Sequence, residues 1–182
     1  MIYVFLANGF EEIEALTPVD ILRRAGLNVT TVGIGGKKIC GSHGISVDAD
    51  ISDDMFGDTN PEAVILPGGM PGTLNLDASQ TVENALESAE KNDAFICAIC
   101  AAPMVLGKRG LLKGYRAACY PGFEKYLEGA DVADVRKEPV ITDGKRITGA
   151  GMGVAKEFSL AIAAAISGKE TADKIDYSII SR

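Results

Sequence analysis

The stretch AFICAICAAPMVLG, residues 94–107, joins an apolar run to a helical pattern and places a cysteine at the junction. Ala94 to Ile99 is apolar throughout, as expected of a parallel strand buried on both faces. Cys100 ends that run, and Ala101 to Lys108 then shows a helical pattern that stops at Gly110. The stretch therefore predicts a strand, a turn that carries Cys100, and a helix.

The amino-terminal stretch has the same order of elements. Ile2 to Ala7 is an apolar run that ends at the turn Asn8-Gly9. A helix should follow, with Thr17 as its N-cap and Pro18 at its first position, where a missing N–H costs little. Gly26 would end that helix.

The rest of the chain continues the alternation. Ala63 to Leu66 is a short strand that runs into the glycine-rich loop PGGMPG, residues 67–72. Gly35-Gly36 predicts a hairpin between the second strand and Lys37 to Cys40. The remaining predicted elements are strands at Asn28–Ile34, Arg116–Cys119, Val140–Thr142 and Arg146–Thr148, and helices at Ser79–Lys91 and Val154–Ile166.

Strands that alternate with helices predict an α/β fold with a mainly parallel, doubly wound sheet between two helical layers, a flavodoxin-like three-layer sandwich. Asp143-Gly144 adds a small antiparallel hairpin. No repeat, low-complexity tract or linker divides the sequence, so we expect a single domain over residues 1–182.

Composition excludes several classes of protein. With 25 acidic and 18 basic side chains the net charge is −7, and no basic block is present, so we expect no nucleic acid as a primary partner. No apolar run approaches the ~18 residues of a membrane span, and the amino terminus lacks a basic signal region. We expect a cytoplasmic protein whose four cysteines are thiols.

In such sheets ligands bind beyond the carboxyl ends of the strands. Three predicted turns meet there, and one of them carries Cys100. The following helix N-terminus and free backbone N–H groups would lower the pKa of this thiol, as at a nucleophile elbow. Alternatively the cysteine is a small buried apolar residue, as we expect of Cys97.

The other two turns offer an anion site and a carboxylate. PGGMPG can present backbone N–H groups to an oxyanion, or it is an ordinary turn. Among Glu11, Glu12 and Glu14, we single out Glu14, because a helix that began before Pro18 would be kinked at the Glu14 carbonyl. A carboxyl held there near a thiolate would have a raised pKa and could donate a hydrogen bond to sulfur. The alternative is a solvated first helical turn.

Two further residues bear on catalysis. His43, the single histidine, lies in the turn GSHGI, so any Cys–His catalysis must use it; otherwise it is a surface residue. Tyr120 follows the predicted strand ending at Cys119 and could supply a hydrogen bond, although a tyrosine pKa near 10 makes it a poor base.

Five motifs in this order resemble the ThiJ/PfpI family over Met1 to about Ile175, most closely its branch of the Parkinson-disease-linked deglycase and bacterial ThiJ-like proteins. The motifs are NGFEEIEA (8–15), PVDILRRAG (18–26), VILPGGMPG (64–72), ICAICAAPMVLG (96–107) and GAGMGVAKEFSLAI (149–162). The resemblance implies a flavodoxin-like sandwich, usually homodimeric, with a reactive cysteine at a strained elbow.

The resemblance also implies roles for particular residues. Cys100 matches the nucleophilic and oxidisable cysteine, and Glu14 matches the protonated glutamate that contacts it. The backbone N–H groups of Gly69 and Ala101 match the donors to an oxyanion or oxidised sulfur. Arg24 and His43 match positions where relatives often carry arginines near the site and the dimer contact, so His43 is a substitution.

Tyr120 stands where many relatives have a histidine beside the cysteine, which weakens a peptidase or amidase function. The favoured function is a cofactor-independent and metal-independent glyoxalase or deglycase acting on 2-oxoaldehydes such as methylglyoxal or their adducts. The alternative is a redox sensor or chaperone that uses oxidation of Cys100.

Overall fold

The computed structural model describes residues 1–57 and 60–180. Its strands are β1 Ile2–Leu6, β2 Val29–Gly33, β3 Lys38–Cys40, β4 Ser46–Asp48, β5 Ile51–Ser52, β6 Ala63–Leu66, β7 Phe95–Ile99, β8 Arg116–Ala117, β9 Asp131–Val132, β10 Val140–Asp143 and β11 Arg146–Gly149. Its α-helices are α1 Glu12–Arg24, α2 Gly72–Asp77, α3 Gln80–Lys91, α4 Pro103–Lys108, α5 Ala155–Ser167 and α6 Lys169–Ser178.

Within the described residues, seven strands form the main sheet in the order β10-β11-β7-β6-β1-β2-β5. All neighbouring pairs are parallel except β10 and β11, which form the antiparallel hairpin expected at Asp143-Gly144. The predicted flavodoxin-like α/β class is therefore confirmed. Because β1, β6 and β7 are adjacent and parallel, their carboxyl ends lie side by side.

Two apolar layers cover the two faces of the sheet. Alternate residues of β1 divide between them: Ile2, Val4 and Leu6 belong to one core, and Tyr3 and Phe5 to the other. The first core includes buried side chains of α1, α5 and α6, and the second includes those of α3 and α4. Each central strand is thus buried on both faces, which explains its continuous apolar run.

The predicted start of the first helix is wrong. α1 begins at Glu12, with Glu11 as its N-cap, and Pro18 lies inside it rather than at its first position. Thr17 is consequently a mid-helix residue. The proline has no N–H to give to the carbonyl of Glu14, so the helix lacks one internal hydrogen bond at that residue.

The hairpin predicted at Gly35-Gly36 is also wrong. β3 pairs with β4 in a separate two-stranded sheet, and the turn between them carries His43. β8, expected as a strand of the main sheet, pairs instead with β9. Helices α2 and α6 and the short strand β5 were not predicted. In the described ranges, no helix has the length and apolar character needed to cross a membrane.

Candidate active site

Turns that follow β1, β6 and β7 meet at the carboxyl edge of the sheet. The backbone N–H of Glu11 donates to the carbonyl of Gly68 at 2.9 Å, and that of Gly72 donates to Gly9 at 3.1 Å. A Cβ at Gly69 would lie 2.3 Å from the Glu11 nitrogen, so only glycine allows the two turns to approach this closely. The glycine-rich loop is therefore packed against the start of α1.

Cys100 occupies the turn between β7 and α4 in a strained conformation. Its φ is +64°, in the left-handed region that non-glycine residues rarely adopt. Its N–H donates to Gly149 at 2.9 Å, and its carbonyl accepts from Tyr120 N–H at 2.8 Å. Two hydrogen bonds from distant segments thus hold the backbone of the elbow, while Cys97 is fully buried as expected.

The sulfur of Cys100 is subject to opposing influences. Burial raises the pKa of the thiol, and the adjacent Glu14 carboxyl raises it further, to about 12. Hydrogen bonds from the backbone N–H groups of Ala101 and Gly69 lower it. The predicted fall in this pKa is therefore wrong, because burial and the Glu14 carboxyl outweigh the backbone N–H donors.

Glu14 is the carboxyl nearest to this chemistry and is only 1% exposed. Burial raises its pKa to about 7; the charge of Glu11 also raises it, while Cys100 and the N–H groups of Gly68 and Met152 lower it. Oε2 accepts from Gly68 N–H at 2.9 Å. Oε1 has no partner of standard hydrogen-bond geometry among the described residues, although Cys100 and Met152 lie close enough to affect the carboxyl pKa.

Glu14 and Cys100 therefore behave as a coupled pair. Two adjacent negative charges in a buried site repel each other, so near neutral pH the pair retains one proton. The higher pKa of the thiol places that proton mainly on sulfur, and its transfer to Glu14 would leave a thiolate beside the N–H groups of Gly69 and Ala101.

His43 does not contact Cys100; it binds Glu12, which is 4% exposed. Glu12 Oε1 accepts the His43 N–H at 2.8 Å, and Oε2 lies 2.8 Å from His43 Nδ1. Burial raises the pKa of Glu12, but the bonds from His43 outweigh it and bring the pKa to about 2. Glu12 in turn raises the pKa of His43.

Glu11, Glu12 and His43 present donor atoms within 4.8 Å of one another, a spacing that suits a cation. These atoms already serve the fold, because Glu11 caps α1 and Glu12 binds the His43 turn. Cys100 takes no part in this group. The cluster is thus a structural contact between α1 and the β3–β4 turn.

Arg24 and Tyr120 stand in different relations to the site. Arg24 lies ten residues beyond Glu14 on α1, about 15 Å along the helix, and binds Asp20 at 2.7 Å. The fold therefore does not bring it to Cys100 of the same chain. Tyr120 is 51% exposed, and its ring lies near Gly151, beside Glu14.

Sequence reasoning missed the backbone groups that complete the site. Gly68 binds Glu14, Gly149 binds Cys100, and Met152 lowers the pKa of Glu14. The late glycine-rich stretch GAGMG, residues 149–153, was the available signal for two of them. Their side chains carry no catalytic chemistry, which is why the stretch was not singled out as part of the site.

The fold and this site define a class: flavodoxin-like α/β proteins with a cysteine at a strand-to-helix elbow beside a buried glutamate. The chain belongs to the DJ-1/PfpI family, whose model matches residues 1–165.

Several proteins resemble this chain in sequence or in fold. DJ-1beta of Drosophila melanogaster is 37% identical over 173 residues, covering 94% of this chain and 92% of the relative. Its crystal structure matches with a TM-score of 0.94 at 34% identity over 100% of this chain and 97% of that one. The oxidized DJ-1 of Toxoplasma gondii matches with a TM-score of 0.93 at 31% identity, covering 99% and 97%. A protein of Pyrococcus abyssi named a deglycase is 30% identical over 154 residues, covering 81% and 87%.

Proposed function

We propose that the protein is a cofactor-independent enzyme of the glyoxalase or deglycase type, with Cys100 as nucleophile and Glu14 as acid and base. The observation that carries the proposal is the position of the buried Glu14 carboxyl beside Cys100 at its strained elbow, where a Cβ at residue 68 would lie 2.6 Å from Glu14 Oε2 and 2.7 Å from the Cys100 Cβ. Transfer of the thiol proton to Glu14 creates the thiolate and, in the same step, the acid that the reaction requires next. The deglycase name of a relative supports the same substrate class.

The reaction on methylglyoxal balances without an external oxidant. The thiolate adds to the aldehyde carbon, and the resulting oxyanion takes the proton of Glu14 to give a hemithioacetal. Glu14, now ionised, removes the proton from that carbon as the neighbouring carbonyl oxygen gains a proton from solvent, which gives an enediol. Glu14 then returns its proton to the neighbouring carbon while the hydroxyl on the sulfur-bearing carbon loses its proton to solvent, so that the product is a lactoyl thioester. Water hydrolyses the thioester, so methylglyoxal plus water yields lactate and the free thiol. Gly69 and Ala101 N–H groups are placed to stabilise the oxyanions.

Lactate production from methylglyoxal tests the proposal. We expect wild-type protein to form lactate, and both Cys100→Ala and Glu14→Gln to lower kcat/KM by at least a hundredfold. Cys40→Ser is the matched control. Cys40 is the exposed cysteine and should react with the aldehyde without turnover, so its loss should leave kcat/KM unchanged. A wild-type rate no higher than that of Cys100→Ala would exclude the enzyme.

A redox function is the second candidate, and the backbone donors at the sulfur favour it. N–H groups of Gly69 and Ala101 would stabilise a sulfinate as well as a thiolate, and an oxidized DJ-1 structure is among the similar folds. After mild peroxide, mass spectrometry should find oxidation at Cys100 before Cys97 or Cys119. Preferential oxidation of any other cysteine would contradict this function. A peptidase is disfavoured, because the single histidine binds Glu12.

The working form of the protein is proposed to be one domain per chain, paired as a homodimer in the cytoplasm. Ile13 and Leu16 support pairing, since they are 48% and 40% exposed on α1. Four free thiols suit a reducing compartment. Sedimentation at micromolar concentration should show the dimer, and a monomer would exclude it.

A further inference from the structure

Three hydrogen bonds form a closed ring beside Cys100. Glu11 N–H donates to the carbonyl of Gly68 at 2.9 Å, Gly68 N–H donates to Glu14 Oε2 at 2.9 Å, and Glu14 N–H donates to Glu11 Oε2 at 2.7 Å. We call these three residues the Glu11 ring. It ties the first turn of α1 to the loop whose next residue, Gly69, has its N–H close enough to the Cys100 sulfur to lower the pKa of the thiol.

Glu11 is an unusual residue for its place in the ring. Helix N-caps are usually Ser, Thr, Asp or Asn, whose short side chains reach the first free N–H groups. Here a glutamate caps α1, and its target is the N–H of the one residue whose carboxyl faces Cys100. The cap and the candidate acid are thus joined directly.

We propose that Glu11 is a positioning residue for the Cys100 site: by closing the ring, its carboxylate fixes the Glu14 carboxyl and increases the fraction of molecules in which the shared proton lies on Glu14 and the sulfur is a thiolate. The inference deepens the proposed function and rests on it only in that Glu14 and Cys100 act as a pair. It applies equally whether the thiolate attacks an aldehyde or a peroxide.

The charge of Glu11 acts more strongly on Glu14 than on Cys100. Glu11 binds the backbone of Glu14, so its negative charge disfavours a second charge on Glu14 more than a charge on the sulfur beyond it. The charge of Glu11 accordingly contributes to the raised pKa of Glu14, after burial. Removing that charge should lower the fraction of molecules in which the shared proton lies on Glu14.

The other groups around Glu14 do not supply the negative charge that Glu11 supplies. Gly68 and Met152 offer backbone N–H groups, and Tyr120 is the titratable side chain near Gly151. The ionic groups nearest to Glu11 are Glu12 and His43, which bind each other. On α5, which packs against α1, Lys156 pairs with neighbouring acids, Glu157 and Asp176.

Alkylation of Cys100 by iodoacetamide, followed by peptide mass spectrometry across pH 5–10, tests the inference in a Cys40→Ser background. The rate should rise in two steps, the first as the pair loses one proton and the second as it loses both. In Glu11→Gln we expect the first midpoint to fall by about one pH unit and the plateau between the steps to drop about tenfold. Glu11→Asp, which keeps the charge and caps well, should restore the wild-type midpoint.

Controls separate this role from capping alone. Glu87→Gln removes an equal charge from an exposed position on α3 and should leave the profile unchanged. Glu11→Ala also removes the cap, and its loss of stability is measured by urea unfolding. If Glu11→Gln slows alkylation at every pH without moving the first midpoint, Glu11 is only a cap and the inference is overturned.

Infrared spectroscopy provides a second measurement. The carbonyl band of protonated Glu14, assigned by its loss in Glu14→Gln, should disappear at lower pH in Glu11→Gln than in wild type. An unchanged band would overturn the inference. Neither measurement uses an aldehyde, so the two proposals can fail separately. If the protein forms no lactate but Glu11→Gln shifts the midpoint, the proposed activity is refuted and the role of Glu11 still stands.

Discussion

Gly68 and Glu14 lie 54 positions apart in the sequence, yet the Gly68 N–H donates to Glu14 Oε2 at 2.9 Å in the interior of the protein. A Cβ at residue 68 would lie 2.6 Å from Oε2 and 2.7 Å from the Cys100 Cβ. Gly68→Ala should therefore separate acid and nucleophile, lowering lactate formation about a hundredfold and stability by about 1–3 kcal/mol.

Gly153→Ala is the matched control for that substitution. Among the described residues nothing lies within 4 Å of a Cβ at residue 153, and its backbone is outside the left-handed region. We expect wild-type kcat/KM and stability from this variant. Normal turnover in Gly68→Ala would contradict the close packing assigned to the site.

Glu14 should cost the folded protein stability at alkaline pH. Its pKa is about 7 in the folded state against an ordinary 4.5, so the folded form binds the proton more tightly than the unfolded chain. The resulting stability is present below pH 4.5 and is lost as pH rises through 7. Glu14→Gln, which resembles the protonated acid, should be about 2–3 kcal/mol more stable than wild type at pH 8.5 and nearly equal at pH 4.5. Urea unfolding at the two pH values measures this, and an equal difference at both would disprove it.

His43 can be titrated without ambiguity, because it is the single histidine. Its hydrogen bond and charge interaction with Glu12 raise its pKa, so NMR should find a titration midpoint above 6.5. In Glu12→Gln the midpoint should return to about 6.5. The stabilisation of the wild type relative to His43→Ala should be complete below pH 6.5 and fade as pH rises through the higher midpoint. A midpoint at or below 6.5 in the wild type would contradict the ion pair.

Tyr120 should act through its backbone rather than its hydroxyl. Its N–H fixes the carbonyl of Cys100, whereas its side chain is half exposed. Tyr120→Phe should keep kcat/KM within about twofold. A loss greater than tenfold would show that the hydroxyl takes part in the reaction.

The fold was largely predictable because central parallel strands are buried on both faces and leave continuous apolar runs. The start of α1 was not, because the cap is the side chain of Glu11 and Pro18 is tolerated inside the helix. The pairing of β3 could not be predicted either, because its partner β4 is a three-residue strand with half-buried Val47 and little sequence pattern of its own.

The candidate site was predictable where side chains carry the chemistry and not where the backbone does. Cys100 follows a recognisable strand, and Glu14 was singled out for its expected effect on a thiolate. The direction of the Cys100 pKa depended on burial and on the distance to Glu14, neither of which the sequence specifies. The hydrogen bonds that join Cys100 to Gly149 and Glu14 to Gly68 are long-range contacts that no local sequence pattern encodes.

The elbow at Cys100 has a consequence for biosynthesis. Its backbone is held by Tyr120 and Gly149, and its acid partner lies near the amino terminus. Long-range contacts of this kind form late, because the intervening chain must first be ordered. A ribosome-bound chain that ends before Gly149 should thus carry an ordinary cysteine, and its special reactivity should appear only after the last strand of the sheet has emerged and docked.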